Sequence, residues 1–427
     1  MAAMEDHELR QTLNDELHGR PGLPVLAPAR ITHLAFTLTE TDPDPLSFVK
    51  VLCDALGVKS PPGQVHHHAV ILDKGLVKYE RHGEFYRISI TANETVKGRA
   101  HDTEAISNLP LGWVDNLPGK RLVAIHTQVL SKSTQSPTDV LLRKIFGHDE
   151  IACSYVNQKN ASVWTDFRIG ADGFTRMLVH DHGLSPMRMG RLTRRLHEIE
   201  TYRMMALLAF PLARQLQKEL GPLEKALSQT IASMVATQSA NEDETLLQSL
   251  SGVTRDVEDI SNRSSFRFAA SRAYAALVAK RITELGEERV LNHQRLGVFL
   301  DRRFSPAMTT CTAVAERIAS LAARGERASN LLRTRVDIAL EGQNQKLLRS
   351  METRARQQLM LQETVEGLSV VAISYYLISI VTKLIDGLAG YMGGFDSKLI
   401  DLLAIPVVLV AVWLAVRRVR KRLRSEP

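Results

Sequence analysis

Two pairs of histidines are spaced so that each pair could bind a metal ion from one face of a β-strand. The segment VHHHA contains His66 and His68, and the segment VHDHG contains His180 and His182. Side chains two positions apart on a strand point to the same face, and two imidazoles hold a metal when a third ligand converges on them. The alternative is that these are exposed or hydrogen-bonded strand histidines.

The sequence contains no motif of a known catalytic centre. Phosphate-binding loops, dinucleotide fingerprints, nucleophile elbows and HExxH zinc helices are absent, and the three cysteines form no CxxC pair. We therefore expect no enzymatic activity and no cofactor, with Mg²⁺ or another divalent cation left open. A pocket in which His66, His68 or His82 meets carboxylates would instead indicate an enzyme.

Four polar residues form a line along one predicted helix, which we call the polar stripe. Tyr375, Ser379, Thr382 and Asp386 follow one another at intervals of four, three and four residues, so they share one helix face. In a ring of identical helices the stripe would line a pore, with Asp386 as a ring of carboxylates at its outer mouth. The alternative is packing against a second helix, with the hydroxyls bonded to backbone and Asp386 among the headgroups.

The polar stripe lies in the first of two apolar segments near the C-terminus. Residues 367–382 and 402–416 contain no charged side chain over 16 and 15 positions, slightly fewer than the roughly 20 that span a bilayer. With their flanks they predict two transmembrane helices, 364–386 and 399–416, joined by a short outer loop, 387–398. Two buried core helices are the alternative.

The positive charge of the chain is concentrated after the second apolar segment. The whole chain has a net charge of +7, of which the last eleven residues carry +5. Because the rest is nearly neutral, we expect no nucleic-acid partner. We expect the basic cluster to set the membrane topology or to bind anionic lipid: Arg417, Arg418, Arg420, Lys421, Arg422 and Arg424.

The flanking charges also predict the orientation in the membrane. The segment between the spans carries one lysine and three aspartates, whereas basic residues follow the second span and precede the first. By the positive-inside rule both termini, including the tail 417–427, lie in the cytoplasm of a bacterial inner membrane. The N-terminus has no apolar core of a signal peptide.

The rest of the chain is predicted to be an α+β body. After an N-terminal segment, 1–24, residues 25–185 form a cytosolic α/β domain and residues 186–363 form a helical bundle and stalk. Helices are predicted near 45–56 and 138–146. Six β-rich runs between turn residues predict strands: ITHLAFTL, VHHHAVIL, GEFYRISIT, RLVAIHTQVL, ACSYVNQ and SVWTDFRIG.

Prolines and glycines predict where the long helices begin and end. Gly221-Pro222 is expected to open one helix, and Ser305-Pro306 is expected to start another with serine as its cap. From there one helix could run through the first span to Asp386. A bundle broken at Gly325 or Gly342 is the alternative.

Three separated strings resemble one bacterial family. They are DELHGRPGLPVLAPARITHLAF, KYERHGEFYRISI and TVEGLSVVAISYY. Together they are similar to a family of uncharacterised membrane-anchored proteins that is catalogued as a domain of unknown function. The resemblance covers nearly the whole chain and implies a membrane location without an assigned activity.

The predicted order of elements resembles that of CorA-type magnesium channels. Those channels are homopentamers whose first span lines the pore, with an aromatic-Gly-Met-Asn signature just outside it. In this chain the asparagine is absent and the order of glycine and methionine differs, so the resemblance leaves cation selectivity open. The outer-loop residues at the corresponding place are Tyr391, Met392, Gly393, Gly394, Phe395 and Asp396.

Two functions follow from these expectations. The first is an oligomeric divalent-cation channel of CorA-like architecture, or a degenerate relative of one. The second is a membrane-tethered scaffold or regulatory protein whose cytosolic domain binds a protein partner. The lipid bilayer is a partner in both, and a homo-oligomer is required by the first.

Overall fold

The protein is described here by a computed structural model. It describes residues 6–11, 13–14, 22–63, 65–73, 75–93, 105–236, 240–392 and 397–423. The chain divides into two compact units: residues 1–236 with 246–329, and residues 237–245 with 330–427. We call the first the sheet unit and the second the C-terminal unit.

One mixed β-sheet organises the sheet unit. The described residues form nine strands in the order β2-β3-β4-β1-β5-β8-β7-β6-β9, and the pair β5 and β8 is parallel. The strands are β1 (Ala29–Thr37), β2 (His67–Leu72), β3 (Gly75–Arg81), β4 (Phe85–Ala92), β5 (Lys120–Leu130), β6 (Ala152–Val156), β7 (Ala161–Ile169), β8 (Thr175–Asp181) and β9 (Glu288–Arg289).

The sheet followed by long helices confirms the predicted α+β class, and it adds strands to the prediction. Each of the six predicted runs contains a strand. Strands β3 and β9 were not predicted, and β8 was predicted only at its VHDHG end. The placement of His66 on a strand is wrong, since β2 begins at His67.

Alternating residues give the central strands two different faces. On one face, Leu34, Tyr86, Ile88 and Ile90 are fully buried in an apolar core that includes Leu52. Leu52 belongs to helix α1 (Pro45–Ala55), whose first turn is capped by the Asp44 side chain. The opposite face of the same strands carries polar and charged side chains.

The described residues after β8 include five long helices, and a short helix connects β5 to β6. The short helix is α2 (Asp139–Phe146), capped by Thr138. The long helices are α3 (Pro186–Leu207), α4 (Ala209–Ala236), α5 (Ala240–Leu285), α6 (Leu296–Met392) and α7 (Ser397–Leu423).

Two helix starts predicted from proline are wrong. Helix α4 continues through Gly221-Pro222, since Leu216, Leu220 and Leu227 are fully buried along it and their packing outweighs the cost of an internal proline. Helix α6 begins at Leu296, before Ser305-Pro306.

Two side chains outside α6 explain why the helix begins at Leu296. Ser154 Oγ on β6 accepts a hydrogen bond from the Leu296 backbone N–H at 3.1 Å, and the Glu287 carboxylate accepts one from Gly297 at 3.0 Å. These contacts satisfy amide groups that every helix leaves open at its N-terminus.

Helix α6 is also unbroken at the two glycines considered as breaks, Gly325 and Gly342. At Gly325 a Cβ would lie 3.1 Å from Thr254 Oγ1 on α5. The glycine therefore permits close packing of two helices rather than a break.

Candidate functional site

The polar face of the sheet carries charged side chains that are held opposite one another by strand register. Lys78 on β3 and His33 on β1 both pair with Ser89 on β4, and Glu80 pairs with Arg87 one step along. Opposed residues on neighbouring strands lie about 5 Å apart at Cβ, so their side chains meet on one face.

One side of helix α3 covers this face of the sheet. At helical spacing, that side carries Gly190, Thr193, Arg194, His197 and Glu198. Of these, Arg194 is half-buried and the other four are buried. A charged sheet face and a charged helix face are thereby packed together.

Arg87 is the centre of the resulting network. Its Nε donates to Glu80 Oε2 at 2.6 Å, and its Nη2 donates to Glu198 Oε1 at 3.3 Å. The side chains of all three residues are at most 5% exposed. Arg87 therefore joins strand β3 to helix α3 through two buried carboxylates.

Two further arginines complete the coordination of Glu198. Arg194 Nε donates to Glu198 Oε1 at 2.8 Å, and Arg281 Nε on α5 donates to Oε2 at 2.6 Å. We call the following six residues the ionic cluster: Lys78, Glu80, Arg87, Arg194, Glu198 and Arg281. The cluster links β3, β4, α3 and α5.

Positive neighbours keep both buried carboxylates ionised. Burial would raise the pKa of Glu80, but Arg87 and Lys78 outweigh it and lower that pKa to about 2. Burial opposes ionisation of Glu198 as well, and its three arginine neighbours lower its pKa. Both groups are therefore carboxylates at neutral pH.

A stacked pair of histidines lies against the ionic cluster. The rings of His33 and His197 are 4.7 Å apart at an angle of 16°. Burial lowers the pKa of both rings, His197 to about 3, and the nearby Arg87 charge adds to the effect. Both imidazoles are therefore neutral at physiological pH.

Hydroxyl groups hold these rings in place. The His33 ring nitrogens bond to Ser89 Oγ at 2.8 Å and to Thr201 Oγ1 at 3.1 Å, and His197 Nε2 bonds to Thr127 Oγ1 at 2.9 Å. Two neutral rings therefore lie beside ionised carboxylates and the charged hydrogen-bond donors of the ionic cluster.

A small cavity of about 50 Å³ adjoins the cluster. Leu23 and Val25 line it from an N-terminal segment that crosses α3 at Gly190, and the Val25 N–H donates to the Pro186 carbonyl at 3.0 Å. A Cβ at position 190 would overlap the Leu23 carbonyl oxygen. Glycine is therefore required for the crossing.

The sequence profile of one family matches residues 5–423, nearly the whole chain. The chain belongs to that family. Its description is "Protein of unknown function (DUF3422)". This confirms the resemblance to a family of unknown function inferred from the three strings. It assigns no activity and does not test the membrane location that the resemblance implied.

Two other comparisons add little. No curated protein matches the chain. Among solved structures, "structure of the full-length CmaX protein" matches with 12% identity over 71% of this chain and 94% of that chain, at a TM-score of 0.19. A similarity of that degree supports no conclusion about fold or function.

The polar stripe predicted from sequence lies on α6 in the C-terminal unit and divides into two parts. Ser379 and Thr382 are half-buried, whereas Tyr375 is 70% exposed and Asp386 is exposed. The Thr382 hydroxyl donates to the carbonyls of Ile378 and Ser379 at 3.0 and 3.2 Å.

The other C-terminal candidates are only partly described. Tyr391 and Met392 end α6, whereas Gly393, Gly394, Phe395 and Asp396 lie outside the described residues. Of the basic cluster, Arg417 and Arg418 are exposed on α7, with the Arg417 guanidinium 4.9 Å from the Trp413 ring. Helix α7 also contains Arg420, Lys421 and Arg422, and Arg424 lies outside the described residues.

The histidine pairs are not gathered into a metal site. His66 is exposed and His68 half-buried, while His180 bonds to the Thr134 carbonyl at 3.0 Å and His182 to Ser162 at 2.8 Å. Within the described part of the chain, no group of three or more His, Cys, Asp or Glu could hold a metal ion. His82 stacks on Phe85 at 4.4 Å.

Sequence reasoning missed the ionic cluster although its residues were in view. Lys78, Glu80, Arg87 and Ser89 lie within KYERHGEFYRISI, and His33 lies within the N-terminal string. Alternation of charged and apolar residues ordinarily indicates that the charged face is in water. The available signal was the matching charged face of α3, which could only be paired with the strands by knowing the fold.

Proposed function

We propose that the protein is anchored in a membrane by two spans and that copies of it assemble around the first span into a cation channel of CorA-like architecture. The spans are 364–386 and 399–416, and the basic end of the chain lies on the cytoplasmic side with the sheet unit. The transported ion is a hydrated divalent cation. The exposed apolar surface of α6 is the observation that carries this proposal.

Among the described helices, α6 from Leu296 to Gly387 is long and apolar enough to cross a membrane. Its most apolar window is only 6% buried within the chain. That stretch is exposed, unlike the start of α6, where Leu296 and Leu300 belong to the core of the sheet unit. Large side chains more than half exposed continue from α6 to α7: Val365, Leu368, Val371, Ile373, Tyr375, Tyr376, Ile380, Leu384, Val407, Val410 and Trp413. Such a surface requires lipid or other protein to cover it.

The pattern of burial supports pairing of the two spans. Beyond residue 340, the buried positions among those described are Ser374 on α6 and Val408 and Val412 on α7. Ile378 and Ile385 are half-buried on the Ser374 side of α6. Four residues separate α6 from α7, which is short enough for an antiparallel hairpin.

The outward part of the polar stripe supports assembly of several copies. Tyr375 and Asp386 are exposed within one chain. A carboxylate in or beside a span is costly in contact with lipid, and such groups ordinarily face protein or water. A ring of α6 helices would give Asp386 an aqueous pore mouth and would gather negative charge there.

The internal bonding of Thr382 favours the second candidate, a membrane-tethered scaffold. Its hydroxyl is already satisfied by the backbone of its own helix, as expected for a span that packs on its neighbour. In that case the spans serve as an anchor, and the sheet unit binds a cytosolic partner.

A membrane test comes first. After alkaline carbonate extraction, the full chain is expected to remain with the membrane pellet. Recovery in the soluble fraction would contradict both candidates, because each requires a span.

Flux through liposomes separates the two candidates. We expect divalent-cation uptake by the wild type and a loss of at least tenfold for Asp386→Asn. Asp401→Asn removes the same charge near the start of the second span and serves as the matched control. If both variants conduct like the wild type, or if the wild type does not conduct, the channel is excluded and the scaffold remains.

A further inference from the structure

The cavity beside the ionic cluster is lined by more positive than negative groups. Three cations line it, Lys78, Arg87 and Arg194, against one carboxylate, Glu80. Oε2 of that carboxylate accepts a hydrogen bond from Arg87 at 2.6 Å, and Oε1 forms an ion pair with Lys78 Nζ at 3.0 Å without accepting a hydrogen bond. The electrostatic potential within the cavity therefore favours a negative ligand.

Arg87 retains an unused donor at this place. Its Nε and Nη2 bond to the two carboxylates, whereas its Nη1 is buried and has no acceptor among the described residues. The Arg87 side chain is 2% exposed. A buried charged donor is costly to leave unpaired, and an oxyanion is its natural acceptor.

The remaining polar lining is neutral. His33, Ser89, Thr91 and His197 line the cavity and bring no negative charge that would repel an anion. The cavity of about 50 Å³ has room for a few water-sized groups. Leu23 and Val25 line it as well. The small volume limits the ligand to a small one.

We propose that this cavity binds a small oxyanion, of the size of inorganic phosphate or acetate, through Arg87 Nη1 with Lys78 and Arg194 beside it. The ligand fills the space under the N-terminal segment and thereby ties that segment to β4 and α3. The site belongs to the sheet unit alone. It is independent of whether the protein conducts ions.

The ligand is tested on the full chain in detergent by thermal unfolding with increasing inorganic phosphate, acetate or chloride at constant ionic strength. A saturable rise in melting temperature is expected with an oxyanion and not with chloride, because a ligand that binds only the folded state stabilises it. A rise in melting temperature with phosphate alone would identify a phosphate site. A rise with acetate alone would identify a carboxylate site. The same response to chloride, or none to either oxyanion, would overturn the proposal.

Adjacent arginines on α3 provide a matched pair of variants. Arg194 lines the cavity, whereas Arg195 does not and instead pairs with Glu284. Arg194→Gln should raise the dissociation constant of the oxyanion at least tenfold, and Arg195→Gln should leave it within twofold. Titrations followed by the phosphorus NMR line width of inorganic phosphate, or the carbon signal of labelled acetate, measure binding without relying on unfolding. Equal effects of the two variants would contradict the assignment of the site.

Discussion

The two units of the chain differ in the kinds of side chain that they bury and expose. In the sheet unit Arg87, Glu80 and Glu198 are almost completely buried, and ion pairs join them between strands β3 and β4 and helix α3. In the C-terminal unit large apolar side chains such as Leu368 and Tyr375 are at least 70% exposed. The sheet unit thus pairs buried charges within one chain, whereas the C-terminal unit exposes apolar surface that a bilayer and other copies are proposed to cover. The contrast predicts which substitutions alter folding and which alter assembly.

The largest effect on folding is expected from Arg87→Met. The substitution leaves Glu80 and Glu198 as buried carboxylates without their shared partner, which costs about 3–5 kcal/mol when a buried pair is broken. The free energy of unfolding of the full chain in detergent, measured by urea titration of near-ultraviolet circular dichroism, checks this. Met is chosen because it keeps most of the side-chain volume.

An exposed ion pair in the other unit is the control for Arg87→Met. Arg356 lies 2.7 Å from Glu352, with side chains 77% and 63% exposed. Arg356→Met should change the free energy of unfolding by less than about 0.5 kcal/mol, since surface pairs contribute little. Equal losses in the two variants would show that the ionic cluster has no special role in the stability of the sheet unit.

A smaller loss is expected from Gly190→Ala. The new Cβ would overlap the Leu23 carbonyl oxygen, so the N-terminal segment must shift, at a cost of about 1–3 kcal/mol. Hydrogen exchange at the Val25 amide, which bonds to Pro186 in the wild type, should become faster.

Gly252→Ala is the matched control on α5, where a Cβ meets only the Arg255 guanidinium, at 4.0 Å. It should leave stability unchanged or raise it by up to about 1 kcal/mol, because alanine favours the helix. Exchange at Val25 that is unaltered in Gly190→Ala would show that the segment does not depend on the glycine.

The stacked rings of His33 and His197 should make the sheet unit sensitive to mild acid. In the folded state the pKa of each ring is below the ordinary 6.5, and that of His197 is about 3. The unfolded chain therefore binds more protons than the folded chain below pH 6.5. Stability is therefore complete above pH 6.5 and falls as pH decreases, by roughly 1 kcal/mol per pH unit for each histidine.

Urea titrations between pH 6.5 and 4.5 measure this dependence, since Glu80, with its pKa lowered to about 2, adds its own loss only below about pH 4.5. The double variant His33→Gln, His197→Gln should have a flatter profile over the same range. An unchanged slope in that variant would assign the acid sensitivity to other groups.

Local patterns in the sequence predicted a large part of the fold. Thr138 before α2, Pro186 at the start of α3 and the β-rich runs specify their elements through caps and alternation, which act over a few residues. The start of α6 could not be predicted in this way. Ser154 and Glu287 fix it from positions that are distant in sequence.

The candidate site was beyond local patterns for the same reason. Glu80 and Arg87 are close in sequence, but their partner Glu198 lies on α3, and Arg281 lies on α5. A pattern of alternation indicates a polar face without indicating what covers it. The apolar segments, by contrast, were recognisable because composition alone distinguishes them.

The most direct test of the account is the mass of the detergent-solubilised full chain, determined by native mass spectrometry or by light scattering with detergent correction. The exposed surface of α6 and the position of Asp386 predict a closed ring of several copies, and the CorA-like proposal predicts about five times the 47.6 kDa of one chain. A monomer or dimer in detergent would contradict the assembly of several copies around α6, and with it the CorA-like channel.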